Sequence, residues 1–116
     1  MGLLRGNVYL LLDGGTAATK GDRPVVVVSR NELNGGNDVT VVPFTSQPSK
    51  HRDQQMFRIP FYEGEGGLTC NCFAKTDAVG KIPIAVINIK RGSIGQISDS
   101  RMNEILEGIK WSLKSN

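Results

Sequence analysis

The 116-residue chain contains one histidine, two cysteines and one tryptophan, and each scarcity removes a class of chemistry. A dedicated zinc centre draws three or four ligands from cysteine, histidine and carboxylate in recognisable spacings. His51, Cys70 and Cys72 form neither a CxxC pair nor an HExxH helix, so no metal site and no cofactor is expected. A two-histidine acid–base mechanism within one chain is impossible for the same reason. No GxxxxGK[ST] loop and no strand-linked GxGxxG is present, which removes the common nucleotide cradles. The apolar runs Val8–Leu12 and Val25–Val28 are too short to cross a bilayer. Met1–Arg5 lacks an apolar signal core and a cleavage site. A cytoplasmic protein without membrane contact is therefore expected. Cys70 and Cys72 stand two apart, about 6.6–6.8 Å on a strand, the stretched limit for a disulfide. Two buried or half-buried thiols on one strand are the expectation.

What is present fits one small globular domain over residues 1–116, with 39% hydrophobic and 22% charged residues. The net charge of +3 and pI near 9.1 suit a polyanionic partner without demanding one.

Most of the chain has β character. Asn7–Leu12 and Pro24–Ser29 are apolar and β-branched, with a proline where the second run begins. Glycines punctuate the loop Asp13–Asp22, and Asn31–Asn37 is a turn with room for one helical turn. Asp38–Thr45 alternates as a third strand, with Val39, Val41 and Pro43 on one face. A polar loop Ser46–Asp53 leads to strands at Met56–Phe61 and Leu68–Thr76, and shorter β-prone pieces follow up to Ile97. Then the period changes. Met102, Ile105, Leu106, Ile109 and Leu113 form an apolar stripe at helical spacing over Asp99–Lys114, with Ser98 or Asp99 as cap and Arg101, Glu104 and Lys110 opposite. Five or more short strands and one terminal amphipathic helix predict a mainly β protein, a small SH3-like antiparallel barrel with the helix across one opening.

Two polar cassettes sit at strand ends. Arg23 lies in GDRP before the valine strand, and Thr45, Ser46 and Gln47 lie in PFTSQ after the third. If those strands pair antiparallel, Arg23 comes near Thr45, and a guanidinium beside a hydroxyl at a barrel mouth can bind phosphate. From spacing alone, a solvated Arg23 and a strand-capping Thr45 are the simpler reading.

RGNVYLLLD, GDRPVVVVS, VTVVPFTSQ, GL…CFAKTD and G-x-I-S-D, taken in order along nearly the whole chain, resemble the MazF/PemK toxin family. The resemblance implies a homodimeric, metal-independent endoribonuclease toxin of a type II toxin–antitoxin system. Its substrate would be single-stranded mRNA, and a cognate antitoxin protein would block it with a disordered acidic segment. Arg23 matches the family's catalytic arginine and Thr45 its catalytic threonine. Lys75 and Asp77 in FAKTD match an R-x-D element, with lysine in place of arginine. The loop DGGTAATKGD departs from the family's G-x-E-Q stretch, and Asp77-Ala78 from its Asp-Gln.

The expected reaction is attack of the RNA 2′-hydroxyl on the adjacent phosphate, giving a 2′,3′-cyclic phosphate and a 5′-hydroxyl. Arg23 stays charged and offers a bidentate fork to the dianion. Thr45 and Ser46 can donate to phosphoryl oxygens. Asp77 is the candidate proton acceptor; His51 has the more suitable pKa range but lies in a polar loop. Gln47, Lys75, Lys20, Lys50 and Arg52 could follow the RNA backbone. Phe57 or Phe61 could stack a base, although aromatics in so small a barrel usually form its core. Two rivals share the fold: a CcdB-like toxin that binds gyrase without catalysis, for which Trp111 near the C-terminus would matter were it not placed to pack, and an inactive barrel that serves only as an interaction module.

Overall fold

The computed structural model describes residues 3–12, 23–46 and 57–113. Residues 13–22 and 47–56, and with them the expectations for Lys20, Gln47, Lys50, His51 and Arg52, lie outside the described residues. Strands run at β1 (Asn7–Leu10), β2 (Pro24–Val27), β3 (Asp38–Thr45), β4 (Arg58–Phe61), β5 (Cys72–Lys75), β6 (Gly80–Pro83) and β7 (Gly95–Gln96). They form one curled antiparallel sheet in the order β4-β5-β3-β2-β1-β7, with β6 paired to the first half of β3. A single helix, α1 (Asp99–Leu113), closes the described chain.

The valine run reads as continuous rather than alternating because both faces of β1 and β2 are covered. Val8, Val26 and Val28 join Val42, Phe44, Phe61, Ala74, Met102 and Ile105 on one side. Tyr9, Val25 and Val27 join Val39, Val41 and Ile87 on the other. Within the first cluster the rings of Phe44 and Phe61 meet edge to face, 5.3 Å between centroids. Phe61 is therefore core, and its candidacy as a base platform falls.

Other departures have local causes. The fifth strand begins at Cys72, not Leu68, because Gly66 and Gly67 adopt positive φ of 59° and 78° and turn the chain. Leu68 enters the core from this turn, its carbonyl accepting from Gly64 N–H at 2.8 Å. Cys70 is left exposed before the strand while Cys72 is buried within it. After β6 the chain tightens into a 3-10 turn at Ile84–Val86. The helix starts where expected, with Ser98 Oγ accepting from Arg101 N–H at 3.2 Å. Its apolar stripe ends early: Met102 and Ile105 are buried, whereas Leu113 is 74% exposed. Trp111, expected to pack, is 56% exposed. Arg101, assigned to the solvent face, lies over the Phe61 ring at 4.0 Å and pairs with Glu65 at 3.0 Å and with Glu104.

Candidate functional site: a cleft at the barrel rim

The turn that joins β2 to β3 is fixed by a buried asparagine. Asn34 donates through Nδ2 to the Leu3 and Ser29 carbonyls at 2.8 and 3.2 Å and accepts from Ser29 Oγ. The ladder that follows pairs Val27 with Val41, Val26 with Val42 and Val25 with Pro43. The ladder ends at Val25 and Pro43, and two residues beyond them on each strand come Arg23 and Thr45, which border the same cleft. The Arg23 backbone is tied in place because its carbonyl accepts from Leu11 N–H at 3.0 Å. Its side chain is exposed and forms no ion pair with any described residue.

Arg23, Thr45 and Ser46 line one cleft of about 570 Å³. The same cleft is lined by Gly67–Cys70 and by Arg91 and Ile94. Arg91 was not singled out in the sequence. It sits in a turn closed by Arg91 N–H to Asn88 Oδ1 at 3.1 Å and Gly92 N–H to Asn88 O at 3.2 Å, with Gly92 at φ 79°. The signal was the Asn-x-x-Arg-Gly pattern, but only tertiary structure carries that turn to the cleft. Two guanidiniums and at least two hydroxyls thus border one opening, which is a donor set for a phosphodiester.

The two cysteines border the same cleft and differ chemically. Burial, then the Cys70 and Glu65 charges, push the Cys72 thiol from its ordinary 9.0 up to about 11. Cys72 is a neutral packing group near pH 7, not a nucleophile.

The remaining candidates stand elsewhere. Asp77 is exposed in the 3-10 turn Thr76–Ala78, at the opposite end of β5 from the cleft. Lys75 is half-buried on β5, paired with Arg58. Within this chain neither Lys75 nor Asp77 lines the cleft. Phe57 lines a different groove of about 620 Å³ with Pro60, Glu104, Glu107 and Trp111, whose carboxylates would repel a phosphate backbone. Among the described residues, no three of His, Cys, Asp and Glu converge as a metal site, and no helix is long and apolar enough to cross a membrane.

A small curled β-sheet with a terminal helix, carrying an arginine–hydroxyl cleft at its rim, defines the class of protein. Residues 4–113 match the family described as PemK-like, MazF-like toxins of type II toxin–antitoxin systems, and the chain belongs to that family. Solved structures agree on the fold. An endoribonuclease in complex with its cognate antitoxin from a mycobacterial species is 21% identical with a TM-score of 0.71, covering 98% of this chain and 99% of its own. The Mycobacterium tuberculosis toxin MazF-mt6 is 18% identical, also at 0.71, with coverages of 95% and 98%. A MazE–MazF structure from Deinococcus radiodurans is 16% identical at 0.72, with coverages of 100% and 99%. No curated protein matches the chain.

Proposed function

We propose that this toxin is an endoribonuclease that cleaves single-stranded mRNA at the Arg23–Thr45 cleft. The observation that carries the proposal is the convergence of residues 22 positions apart in the chain, 45 minus 23, on one opening that also receives Arg91. The 2′-oxygen attacks phosphorus, the bond to the 5′-oxygen breaks, and the proton lost at the first is made good at the second. Negative charge grows on the phosphoryl oxygens during this step. Arg23 meets it with two N–H donors, Thr45 and Ser46 with hydroxyls, and Arg91 with a second cation. Gln47, Lys20 and Lys50 complete the proposed RNA contacts, together with Lys75 from β5.

The solved relatives seen with MazE or a cognate antitoxin support an antitoxin partner here as well. An acidic antitoxin segment laid over the cleft would neutralise the same guanidiniums, consistent with the net charge of +3. A homodimer is the proposed working form.

The test is cleavage of a long single-stranded RNA in excess chelator, with mapping of the new ends. Wild type is expected to leave 5′-hydroxyl ends. Arg23→Ala and Thr45→Ala should each lose about 10²–10³-fold, the usual cost of removing one transition-state donor. Full activity in Arg23→Ala would remove the assignment. Asp77→Asn decides the proton acceptor. Activity within a few-fold of wild type excludes Asp77; loss of about a hundredfold with RNA binding intact retains it and requires a second chain to bring it to the cleft.

A further inference from the structure

β3 leaves the β2 ladder with its last two residues paired to β5, Phe44 to Ala74 and Thr45 to Phe73. Phe44 and Ala74 are core residues. Successive side chains on a strand point to opposite faces, so Thr45 and Phe73 share the face turned away from that core. Phe73 is half-buried and belongs to neither apolar cluster, unlike Phe44, Phe61 and Tyr9. On its other side it pairs with Pro60, which is exposed. Crossing the strands at this level, one face presents Thr45, Phe73 and Pro60 in sequence, neighbouring strands lying about 4.8 Å apart, and Arg23 borders the cleft beside Thr45. Lys75 lies two residues further along β5 on that face.

Directly opposed side chains on neighbouring strands have Cβ atoms about 4.5–5.5 Å apart. Phe73 is therefore the cross-strand neighbour of Thr45 on that face, beside the cleft rather than in its lining. Every unpaired base has a π-face, and stacking on an aromatic ring needs no hydrogen-bond readout. We propose that Phe73 is the stacking platform for the base next to the phosphate held by Arg23 and Thr45. It is a positioning residue: it orients the nucleotide whose backbone reacts. The proposal rests on the single-stranded RNA reading above and adds the surface that holds the base.

The test measures binding of wild type, Phe73→Leu and Phe73→Trp to two probes of equal length. One is a mixed-sequence single-stranded RNA carrying 2′-O-methyl groups, which cannot be cleaved; the other is the same backbone without bases. Phe73→Leu keeps an apolar side chain and is checked by its melting temperature. It should weaken binding to the base-bearing probe by about tenfold, within the range that removal of one stacking aromatic produces. Phe73→Trp should hold or tighten it, and neither substitution should alter binding to the abasic probe. Equal affinity of Phe73→Leu and wild type for the base-bearing probe overturns the proposal, as does an equal loss on both probes. A wild type that binds neither probe and cleaves no RNA overturns the nuclease reading and this one together. A wild type that cleaves RNA while Phe73→Leu binds and cleaves identically overturns this one alone.

Discussion

Arg23 and Arg91 line one cleft without an ion-pair partner among the described residues, so the free protein holds two like charges at one opening. A phosphate bound at that opening is attracted by both guanidiniums. Arg91→Gln should therefore leave the melting temperature unchanged or slightly raised while cleavage falls about ten- to a hundredfold. Arg91→Lys should recover only part of the rate, because an ammonium is a point charge without the guanidinium fork. A glutamine variant as active as wild type would exclude Arg91 from the site. The buried Cys72 thiol gives a second residue-scale prediction. Its folded value of about 11 exceeds the ordinary 9.0, so between these pH values the folded chain keeps a proton that the unfolded chain has lost. The stability tied to Cys72 is complete below about pH 9 and declines as pH rises towards about 11. Urea midpoints at about pH 8 and about pH 10.5 should converge in Cys72→Ala relative to wild type; an equal alkaline loss in both proteins would assign it to other groups.

The terminal helix docks through a residue that helix propensity disfavours. Gly108 lies against the 3-10 turn that follows β5, and a Cβ there would meet Thr76 Oγ1 at 2.7 Å and Cγ2 at 2.8 Å. Thr76 cannot swing away, because it is fully buried and its hydroxyl donates to the Phe57 carbonyl at 2.8 Å. Gly108→Ala would gain about 1 kcal/mol in propensity and lose about 1–3 kcal/mol to overpacking. The expected net change is destabilising, seen as a lower urea midpoint; the double variant Gly108→Ala with Thr76→Ser should regain part of it. The helix itself was legible because its apolar stripe repeats at 3.6 residues. Its last turn was not, because a stripe does not reveal where the sheet beneath it ends, and Leu113 lies beyond that edge. Arg101 was likewise hidden: a charge on a helix is ordinarily solvated, and only Phe61 and Glu65, brought together by β4 and the turn after it, make a half-buried guanidinium stable. The strands were legible in kind, with β3 matched at both ends, while the premature strand start at Leu68 traces to two glycines whose positive φ values a pattern of β-prone residues does not record.

At the scale of the whole molecule, the cleft exists because the sheet curls until its two ends meet. β4 continues into the Glu65–Gly67 turn, and that turn packs its backbone directly on β7. A Cβ on Gly67 would lie 2.0 Å from the Ile94 carbonyl oxygen, and one on Gly95 would lie 2.4 Å from the Gly66 carbonyl carbon. Only a pair of glycines lets the two backbones approach so closely. The contact joins the Gly67–Cys70 wall of the cleft to the segment carrying Arg91 and Ile94. Half of the site was thus readable from sequence and half was not. Arg23 and Thr45 converge through a local hairpin whose register two β-branched strands announce, whereas Arg91 arrives by closure of the entire sheet, which no short window of residues encodes. Gly95→Ala should accordingly lower stability by about 1–3 kcal/mol or more and, at temperatures where the variant remains folded, reduce RNA cleavage by separating the two walls. Gly35→Ala, with open space around its Cβ and no positive φ, is the control expected to change neither. If Gly95→Ala matched that control in both melting temperature and cleavage rate, the close backbone approach would not be what holds the rim shut.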